Sequence, residues 1–185
     1  MFYIQLGDVL KAPVTQDIVQ QVNCQGKCGK GVVVPIFNKY PGAKDRYIDY
    51  CNTKDKKSLL GTAIAYGAPD GRIVFSLFGQ WKTAMHQFEL ATDYRALNAA
   101  LEDMAEFINK NPDSNRHLAI PWMIGAGLAN GDINIIYNLI HDICKRENID
   151  VTFYVNDVTI LPINISKFQD LECLQDLYNE KGIIK

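Results

Sequence analysis

Two glycine-rich segments are the part of this sequence whose residue types and spacing could do chemistry. One runs from Val22 to Gly31 and the other from Ile124 to Asp132, and each contains three glycines. Glycine lets a backbone turn tightly and come close to a ligand, because it carries no Cβ. Each segment lies between an apolar strand and a predicted helix, whose free N–H groups favour an anion. Two such cradles in one chain predict a ligand with a diphosphate bridge, held from both sides.

An alternation of strands and helices is predicted to position these two segments. Apolar spacing predicts strands over residues 2–6, 17–22, 62–66, 72–78, 118–121 and 151–155. It predicts helices over residues 32–39, 44–52, 92–109 and 133–146, and Thr92 can cap the third of them. The turn Pro69-Asp70-Gly71 predicts that the third and fourth strands lie side by side as a hairpin. Strands that alternate with helices indicate a layered α/β fold.

The chain length and its last segment predict one domain with an extension. The 185 residues are enough for a single domain with a substantial core. After Pro162, a helix is predicted from Ser166 to Asn179. We expect residues 157–185 to form a helical extension packed on the domain.

Composition and charge argue against some classes of function. The chain is 48% hydrophobic and 22% charged, as soluble globular proteins are, and its formal net charge is −2. That charge argues against a protein whose affinity rests on a basic phosphate-binding face. Backbone N–H groups can still bind a small anion. No apolar run approaches membrane-spanning length, and the first residues lack a signal-peptide pattern. We therefore expect a cytoplasmic protein with no membrane partner.

The cysteines favour reduced thiols over a disulfide framework. There are five, an odd number, and none forms a Cys-x-x-Cys pair. Cys24 and Cys28 have no histidine at a zinc-like spacing, so neither a metal site nor a cofactor is predicted. Either thiol could be a nucleophile only beside a base. None is visible, so we expect small buried side chains.

Neither glycine segment matches the commonest phosphate-binding motifs. A Walker A loop ending at Gly29-Lys30 requires a glycine at position 24 and Ser or Thr at position 31, which hold Cys24 and Gly31. The dinucleotide fingerprint fails as well, because the glycines are spaced GxxGxG and no acidic residue closes a following strand. The spacing therefore argues against P-loop and Rossmann enzymes.

The loops do resemble those of the macro domain, an ADP-ribose-binding α/β module. The similarity lies in four places along residues 1–156, namely Gly7-Asp8-Val9, Val22–Gly31 with the helix that follows it to Tyr40-Pro41, Pro121 with Ile124–Leu128, and Val151–Val155. It implies a three-layer α/β/α fold with a mixed central sheet. The branch that it resembles contains ADP-ribose-1″-phosphate phosphatases, terminal ADP-ribose-protein glycohydrolases, and stand-alone bacterial and bacteriophage members.

The resemblance implies roles for several residues in binding ADP-ribose. Asp8, beside Val9, stands where the family accepts a hydrogen bond from the adenine amino group; the alternative is a turn or cap residue. Tyr154 stands where an aromatic ring stacks on adenine; the alternative is a core tyrosine. Asn23 resembles the asparagine that fixes the distal ribose hydroxyls, and on this ground it is a candidate for both binding and catalysis. Its alternative role is to tie the loop to itself.

The two loops supply the rest of the implied binding site. Gly29, Lys30 and Gly31 are expected to lie against the distal ribose. Backbone N–H groups of the second loop are expected to bind the diphosphate, and the residues concerned are Gly125, Ala126, Gly127, Leu128 and Ala129.

The catalytic residues of that branch are not all present. Its hydrolases use a lysine after the fourth strand and an aspartate after the Gly-x-Gly-Leu run, where this chain has Gln80 and Ala129. Its phosphatases carry a histidine where this chain has Gln20. Lys82 could replace the lysine through a loop shift. Asp132 could orient a water as general base, or it could be an acid that favours a helix N-terminus.

His86 lies in the polar stretch 79–92, which could form a loop near the distal ribose, but a lone surface histidine is the default interpretation. His117 and His141 fit a strand and a helix and are given no role.

Three functions therefore remain open. The first is hydrolysis of a C1″-substituted ADP-ribose, with ADP-ribose-1″-phosphate as the leading substrate. The second is binding of ADP-ribose or a related nucleotide signal without turnover. The third is removal of ADP-ribose from protein or nucleic acid. We expect a monomer in the cytoplasm, which would be that of the host if the chain is viral.

Overall fold

Seven strands form one mixed sheet in the structure, a computed structural model that describes residues 1–160 and 164–174. In chain order the strands are β1 (Phe2–Leu6), β2 (Asp17–Asn23), β3 (Ala63–Gly67), β4 (Ile73–Gln80), β5 (His117–Pro121), β6 (Asp150–Val155) and β7 (Leu171–Cys173). Their order across the sheet is β3-β4-β2-β5-β6-β1-β7. Only the β3–β4 pair is antiparallel among these strands, and it forms the predicted hairpin.

Five α-helices cover the two faces of this sheet. They are α1 (Val33–Lys39), α2 (Pro41–Thr53), α3 (Lys56–Leu59), α4 (Tyr94–Lys110) and α5 (Ile133–Arg146). Buried side chains of α1 and α2 pack on one face, and those of α4 and α5 pack on the other. Short 3₁₀ helices lie at Val9–Lys11, Val158–Ile160 and Ile165–Lys167. The predicted three-layer α/β/α arrangement with a mixed sheet is confirmed.

Alternation along the buried strands explains why both faces have a core. In β2, Ile18 packs on the face of α1 and α2, and Val19 packs on the face of α4 and α5. Neighbouring strand residues point to opposite faces of a sheet. A parallel sheet covered on both sides therefore needs apolar residues at nearly every position.

The cap of α4 differs from the prediction. Asp93 precedes the helix, and its carboxylate accepts hydrogen bonds from the N–H groups of Arg95 and Ala96, both at 3.0 Å. Thr92 instead donates its hydroxyl to the carbonyl of Gly125 at 2.6 Å. The threonine is thus part of a tertiary contact, and the adjacent aspartate caps the helix.

The predicted helix from Ser166 to Asn179 is wrong over its described part. Residues 165–167 form a single 3₁₀ turn, and β7 extends the sheet by pairing in parallel with β1. Burial of Phe168 and Leu171 in the core outweighs the local helical pattern. Residues 175–179 lie outside the described residues. The division into a domain of residues 1–156 and an extension of 157–185 stays a prediction.

No helix within residues 1–160 and 164–174 is long and apolar enough to cross a bilayer.

Candidate functional site

A cleft of about 1240 Å³ lies where β1, β2, β4, β5 and β6 end. These strands are parallel to one another, so their carboxyl ends share one edge of the sheet, where α/β folds commonly bind ligands. Both predicted glycine loops line this cleft, the first through residues 29–31 and the second through residues 125 and 127–129. The fold therefore brings the two loops to one side of the molecule.

The two loops touch each other across the cleft. Gly31 has a φ of +77°, and a Cβ placed on it would lie 3.2 Å from Cδ1 of Leu128. The Leu128 side chain is 64% exposed, so it is not held in the core. Only a residue without a Cβ permits both this backbone conformation and this approach at low cost.

Several loop N–H groups have no acceptor within the described residues. In the first loop these are the N–H groups of Gly29, Lys30 and Gly31, and in the second loop those of Gly125, Leu128 and Ala129. An anion in the cleft could accept hydrogen bonds from such groups, and it would need no net positive charge on the protein.

Ala126 departs from this expectation. Its N–H donates to the carbonyl of Met123 at 3.0 Å, and its side chain packs against the core. Ala126 is not among the residues that line the cleft. Gly127, which does line it, also donates its N–H to Met123, at 3.1 Å.

Asp8, Val9 and Tyr154 lie together at the end of the cleft formed by β1 and β6. The Asp8 carboxylate accepts a hydrogen bond from the Leu10 N–H at 2.9 Å, which makes it the cap of the first 3₁₀ turn. Tyr154 is 5% exposed and donates its hydroxyl to Gln16 at 2.8 Å. Asp8 therefore acts as a cap and Tyr154 as a core tyrosine, as the alternative interpretations expected. Contacts of either residue with adenine stay predictions.

Asn23 organises the first loop. Its side-chain oxygen accepts hydrogen bonds from the N–H groups of Gln25 and Lys27 and from the Tyr47 hydroxyl, at 3.0, 3.1 and 3.2 Å. Its Nδ2 donates to the Lys27 carbonyl at 2.6 Å. Asn23 thus ties the loop to itself, which was the alternative role, although it also lines the cleft.

Lys82 does not reach the cleft. It lines a smaller depression beside it and forms an ion pair with Glu89 at 3.0 Å. Its backbone carbonyl accepts a hydrogen bond from Gln80 Nε2 at 3.2 Å. The loop shift that would make Lys82 a nucleophile is not observed.

Asp132 also lies outside the cleft lining, and it caps α5. Its carboxylate accepts hydrogen bonds from the side chain and the backbone N–H of Asn134, at 2.9 and 2.8 Å. These bonds hold the pKa of the Asp132 carboxyl below its ordinary value, which makes it a weaker base. The prediction of Asp132 as general base is therefore not supported, because the carboxylate serves the helix.

The cleft contains side chains to which the sequence analysis gave little or no weight. His86 lines it on the loop of residues 81–91, together with Thr83 and Met85. The second glycine loop holds this loop in place, since the Ala91 N–H donates to the Ala129 carbonyl and Asn130 Nδ2 donates to the Glu89 carbonyl. The only sequence signal for His86 was its place in a polar stretch after a strand.

Gln21 is a further polar residue of the cleft that the sequence did not reveal, and Gln80 stands where the resemblance implied a lysine. Both line the cleft and both are buried. Gln20, which stands at the place of the phosphatase histidine, is fully buried and is not part of the lining. Successive side chains of a strand point to opposite faces of the sheet, so Gln21 reaches the cleft and the neighbouring Gln20 does not.

Two buried thiols near the first loop, those of Cys24 and Cys51, are not activated. Burial raises the pKa of the Cys24 thiol to about 12, and burial also raises the pKa of Cys51. A thiol is nucleophilic only as its thiolate, so neither of them is a nucleophile at neutral pH. Within the described part of the chain, no cluster of His, Cys, Asp or Glu has the geometry to hold a metal ion.

Similarity to known proteins agrees with this geometry. No family model matches the chain. The chain is 31% identical over 78 residues to the ADP-ribose 1″-phosphate phosphatase of Aspergillus clavatus. That match spans 35% of this chain and only 39% of the length of the Aspergillus protein.

Solved structures share the fold over most of this chain. A protein from Bacteroides thetaiotaomicron has a TM-score of 0.70 at 22% identity, over 84% of this chain and 99% of that one. The macrodomain of Mycobacterium tuberculosis DarG has a TM-score of 0.65 at 20% identity, over 82% of this chain and 96% of that one. Thermosipho africanus DarTG, solved in complex with ADP-ribose, has a TM-score of 0.62 at 22% identity, over 81% of this chain and 40% of that one. The chain therefore has the fold of the macro domain family.

Proposed function

We propose that the chain binds ADP-ribose in this cleft and hydrolyses a derivative substituted at C1″ of the distal ribose. The observation that carries the proposal is the meeting of two glycine loops, at Gly31 and Leu128, over one cleft. Free N–H groups from both loops line the cleft, as a bound diphosphate requires. The ADP-ribose in the Thermosipho structure supports this choice of ligand.

The strand order suggests how the ligand lies. Asp8 follows β1 and Tyr154 lies in the last part of β6, whereas Asn23 and Gln80 end β2 and β4 on the other side of β5. We infer that adenine binds at the first end, the diphosphate between the loops, and the distal ribose at the second end. The cleft volume of about 1240 Å³ exceeds the roughly 300–1,000 Å³ of common ligand sites, which suits an extended nucleotide sugar.

ADP-ribose-1″-phosphate is the first substrate that we propose, and the relation to the Aspergillus phosphatase supports it. His86 is the imidazole on the cleft lining and follows β4, at the proposed ribose end. In this mechanism the His86 imidazole takes a proton from a water while the water oxygen attacks the phosphorus. The bond from phosphorus to the C1″ oxygen breaks, the His86 imidazolium returns its proton to that oxygen, and inorganic phosphate and ADP-ribose with a hydroxyl at C1″ leave. Loop N–H groups bind the bridging phosphates and hold the substrate in place.

Titration calorimetry with ADP-ribose tests the binding step. We expect saturable heat with one site per chain, and we expect weaker binding of the guanine analogue, because a carboxylate at Asp8 accepts from the adenine amino group. No heat at millimolar ADP-ribose would overturn the proposal.

Binding without turnover is the second candidate, and a specific observation favours it. Neither Lys82 nor Asp132 lies in the cleft, so the acid and amine expected from sequence are both absent from the lining. Removal of ADP-ribose from protein or nucleic acid remains the third candidate.

Separate incubations with ADP-ribose-1″-phosphate, ADP-ribosylated protein and ADP-ribosylated DNA discriminate among the three. We expect inorganic phosphate from the first incubation. Free ADP-ribose from the other two would favour the third function, and no product despite binding would favour a binding module.

We also propose a monomer in the cytoplasm. Cys24, Cys28, Cys51 and Cys144 are free thiols in the structure, which is compatible with a reducing compartment.

A further inference from the structure

A branched hydrogen-bond network lies beneath the cleft. Gln21 Nε2 donates to Gln80 Oε1 at 2.9 Å and to Thr92 Oγ1 at 3.0 Å. Thr92 then donates to the Gly125 carbonyl at 2.6 Å, and Gln80 Nε2 donates to the Lys82 carbonyl at 3.2 Å. One amide on β2 is thereby connected to both ends of the loop of residues 81–91 and to the second glycine loop.

The direction of each hydrogen bond follows from the two backbone carbonyls at which the network ends. A backbone carbonyl can only accept, so Thr92 and Gln80 must donate to Gly125 and Lys82. Thr92 Oγ1 and Gln80 Oε1 are then left to accept, and the two hydrogens of the Gln21 amide meet both needs. Glutamate supplies no such donor, and an aliphatic side chain supplies none either.

The same arrangement leaves one buried acceptor without a partner. Gln21 Oε1 has no hydrogen-bond partner among the described residues. It lies so close to the backbone that a Cβ on Gly79 or Gly125 would be 2.7 or 2.6 Å away. An unpaired buried acceptor lowers the free energy of unfolding by about 1–3 kcal/mol. Stability alone therefore does not explain why a glutamine occupies this position.

From this network we infer that Gln21 is a positioning residue, which sets the place of the Gly125 carbonyl and therefore of the second ligand loop. It does not touch the reacting atoms, and it acts through Thr92. The loop of residues 81–91, which carries His86, is held by the same amide through Gln80. The effect on ligand affinity rests on the proposed function, whereas the effect on loop geometry does not.

Hydrogen exchange of the ligand-free protein tests the inference directly. The N–H groups of Gly131, Ala91 and Thr92 donate to carbonyls of the second loop and report its order. In Gln21→Met we expect exchange at these positions to be at least tenfold faster, with β5 and β6 unchanged. Thr92→Val should have the same effect, and Thr92→Ser should restore protection.

Gln20→Met is the matched control. Gln20 is the next residue on β2, is also buried, also has an unpaired Oε1, and donates to Ser76 at 3.0 Å away from the cleft lining. The Gln20→Met variant should be less stable than the unmodified protein, but hydrogen exchange at the N–H groups that report on the second loop should not be faster. Equal acceleration in both variants, or none in Gln21→Met, would overturn the inference.

ADP-ribose affinity gives the second readout. We expect Gln21→Met to bind about tenfold more weakly, and Gln20→Met to bind within about twofold of the unmodified protein. If the unmodified protein does not bind ADP-ribose, the proposed function fails, and the exchange comparison alone still decides the role of Gln21. Normal affinity in Gln21→Met with a disordered loop would refute its link to binding.

Discussion

At residue scale, the contact between the ligand loops depends on Gly31. Its φ of +77° lies in the left-handed region, and a Cβ there would be 3.2 Å from Leu128. We expect Gly31→Ala to lower the free energy of unfolding by about 1–2 kcal/mol. In urea denaturation Gly29→Ala is the matched control, because a Cβ at Gly29 meets nothing within 4 Å and its φ is not positive.

The double variant Gly31→Ala/Leu128→Ala separates the two causes of the expected loss of stability, which are the positive φ of residue 31 and the close approach of its Cβ to Leu128. It removes the close approach but keeps the backbone strain. Full recovery of stability would show that the side-chain contact is the whole cost, and no recovery would assign the cost to φ.

Asp132 is expected to matter for stability and not for turnover. Removing a helix cap costs about 1 kcal/mol, and asparagine caps as well as aspartate. Asp132→Ala should therefore be less stable than the unmodified protein at pH 7, and Asp132→Asn should be nearly normal. Loss of hydrolysis in Asp132→Asn, with binding retained, would contradict this assignment.

The sign of the pH dependence at Asp132 follows from its lowered pKa. The folded state binds its proton less tightly than the unfolded state does. The stabilisation is therefore present above the unfolded pKa of about 4 and is lost as the pH falls through the lower folded value. Denaturation curves of Asp132→Ala and the unmodified protein should converge at acid pH.

His86 is expected to matter for turnover and not for binding. A general base contributes about 10²–10⁴-fold to the rate. We expect His86→Gln to lower kcat for ADP-ribose-1″-phosphate by at least about 100-fold, with the Kd for ADP-ribose little changed. Unchanged kcat would remove His86 from the mechanism.

At the scale of elements, aromatic side chains hold the segment that contains the last described strand, β7, against the core. Phe168 lies 5.1 Å from Trp122 and 5.0 Å from Tyr137, measured between ring centroids. Tyr137 donates its hydroxyl to the Gln169 carbonyl at 2.5 Å, and His141 Nε2 lies 3.0 Å from the Asp170 carboxylate. The segment 164–174 is therefore attached to the core through Phe168, which packs against Trp122, a residue that precedes the second ligand loop.

Phe168→Ala should cost about 3 kcal/mol, the lower end of the range for a buried phenylalanine. Leu174→Ala is the control, because Leu174 is half exposed at the end of the same segment. Thermal and urea unfolding measure both variants. A cost below about 1 kcal/mol for Phe168→Ala would show that the segment is only loosely attached.

Much of the element layout could be predicted because local patterns and burial agree. β1 and α5 have the predicted bounds. In β1, apolar residues alternate along the strand and match its buried face. In α5, apolar residues recur about every 3.6 positions and match the face that the helix buries. The segment after Ser166 failed because its apolar residues fit a helix and a strand equally well. The free edge of β1, which lies far away in sequence, decided between them.

The candidate site was predictable only where glycine spacing reveals backbone geometry. The two loops were found this way. The roles of Gln21, Thr92 and His86 depend on which strands become neighbours, and no local pattern encodes β2 lying between β4 and β5. Lys82 and Asp132 have side-chain types that suit catalysis, but neither lines the cleft, because Lys82 pairs with Glu89 and Asp132 accepts a hydrogen bond from Asn134.

At the scale of the whole molecule, ligand binding should stabilise the fold by mass action. ADP-ribose at 100 times its Kd adds about 2.7 kcal/mol, which raises Tm by about 5–10 °C for a domain of this size. Thermal melts across a ligand series measure the shift. A Tm that does not rise at saturating ADP-ribose would show that the cleft does not bind it in the folded state.

The position of β1 between β6 and β7 has a consequence for biosynthesis. Among the described strands, β1 is synthesised first, and it pairs only with the two that are synthesised last, Phe2 with Val151 and Leu171. Until residue 151 has emerged, β1 has no native neighbour and both its edges stay open. This sheet can therefore close only after residues 151–173 are synthesised, and a nascent chain that stalls earlier presents an unpaired strand to chaperones or to aggregation.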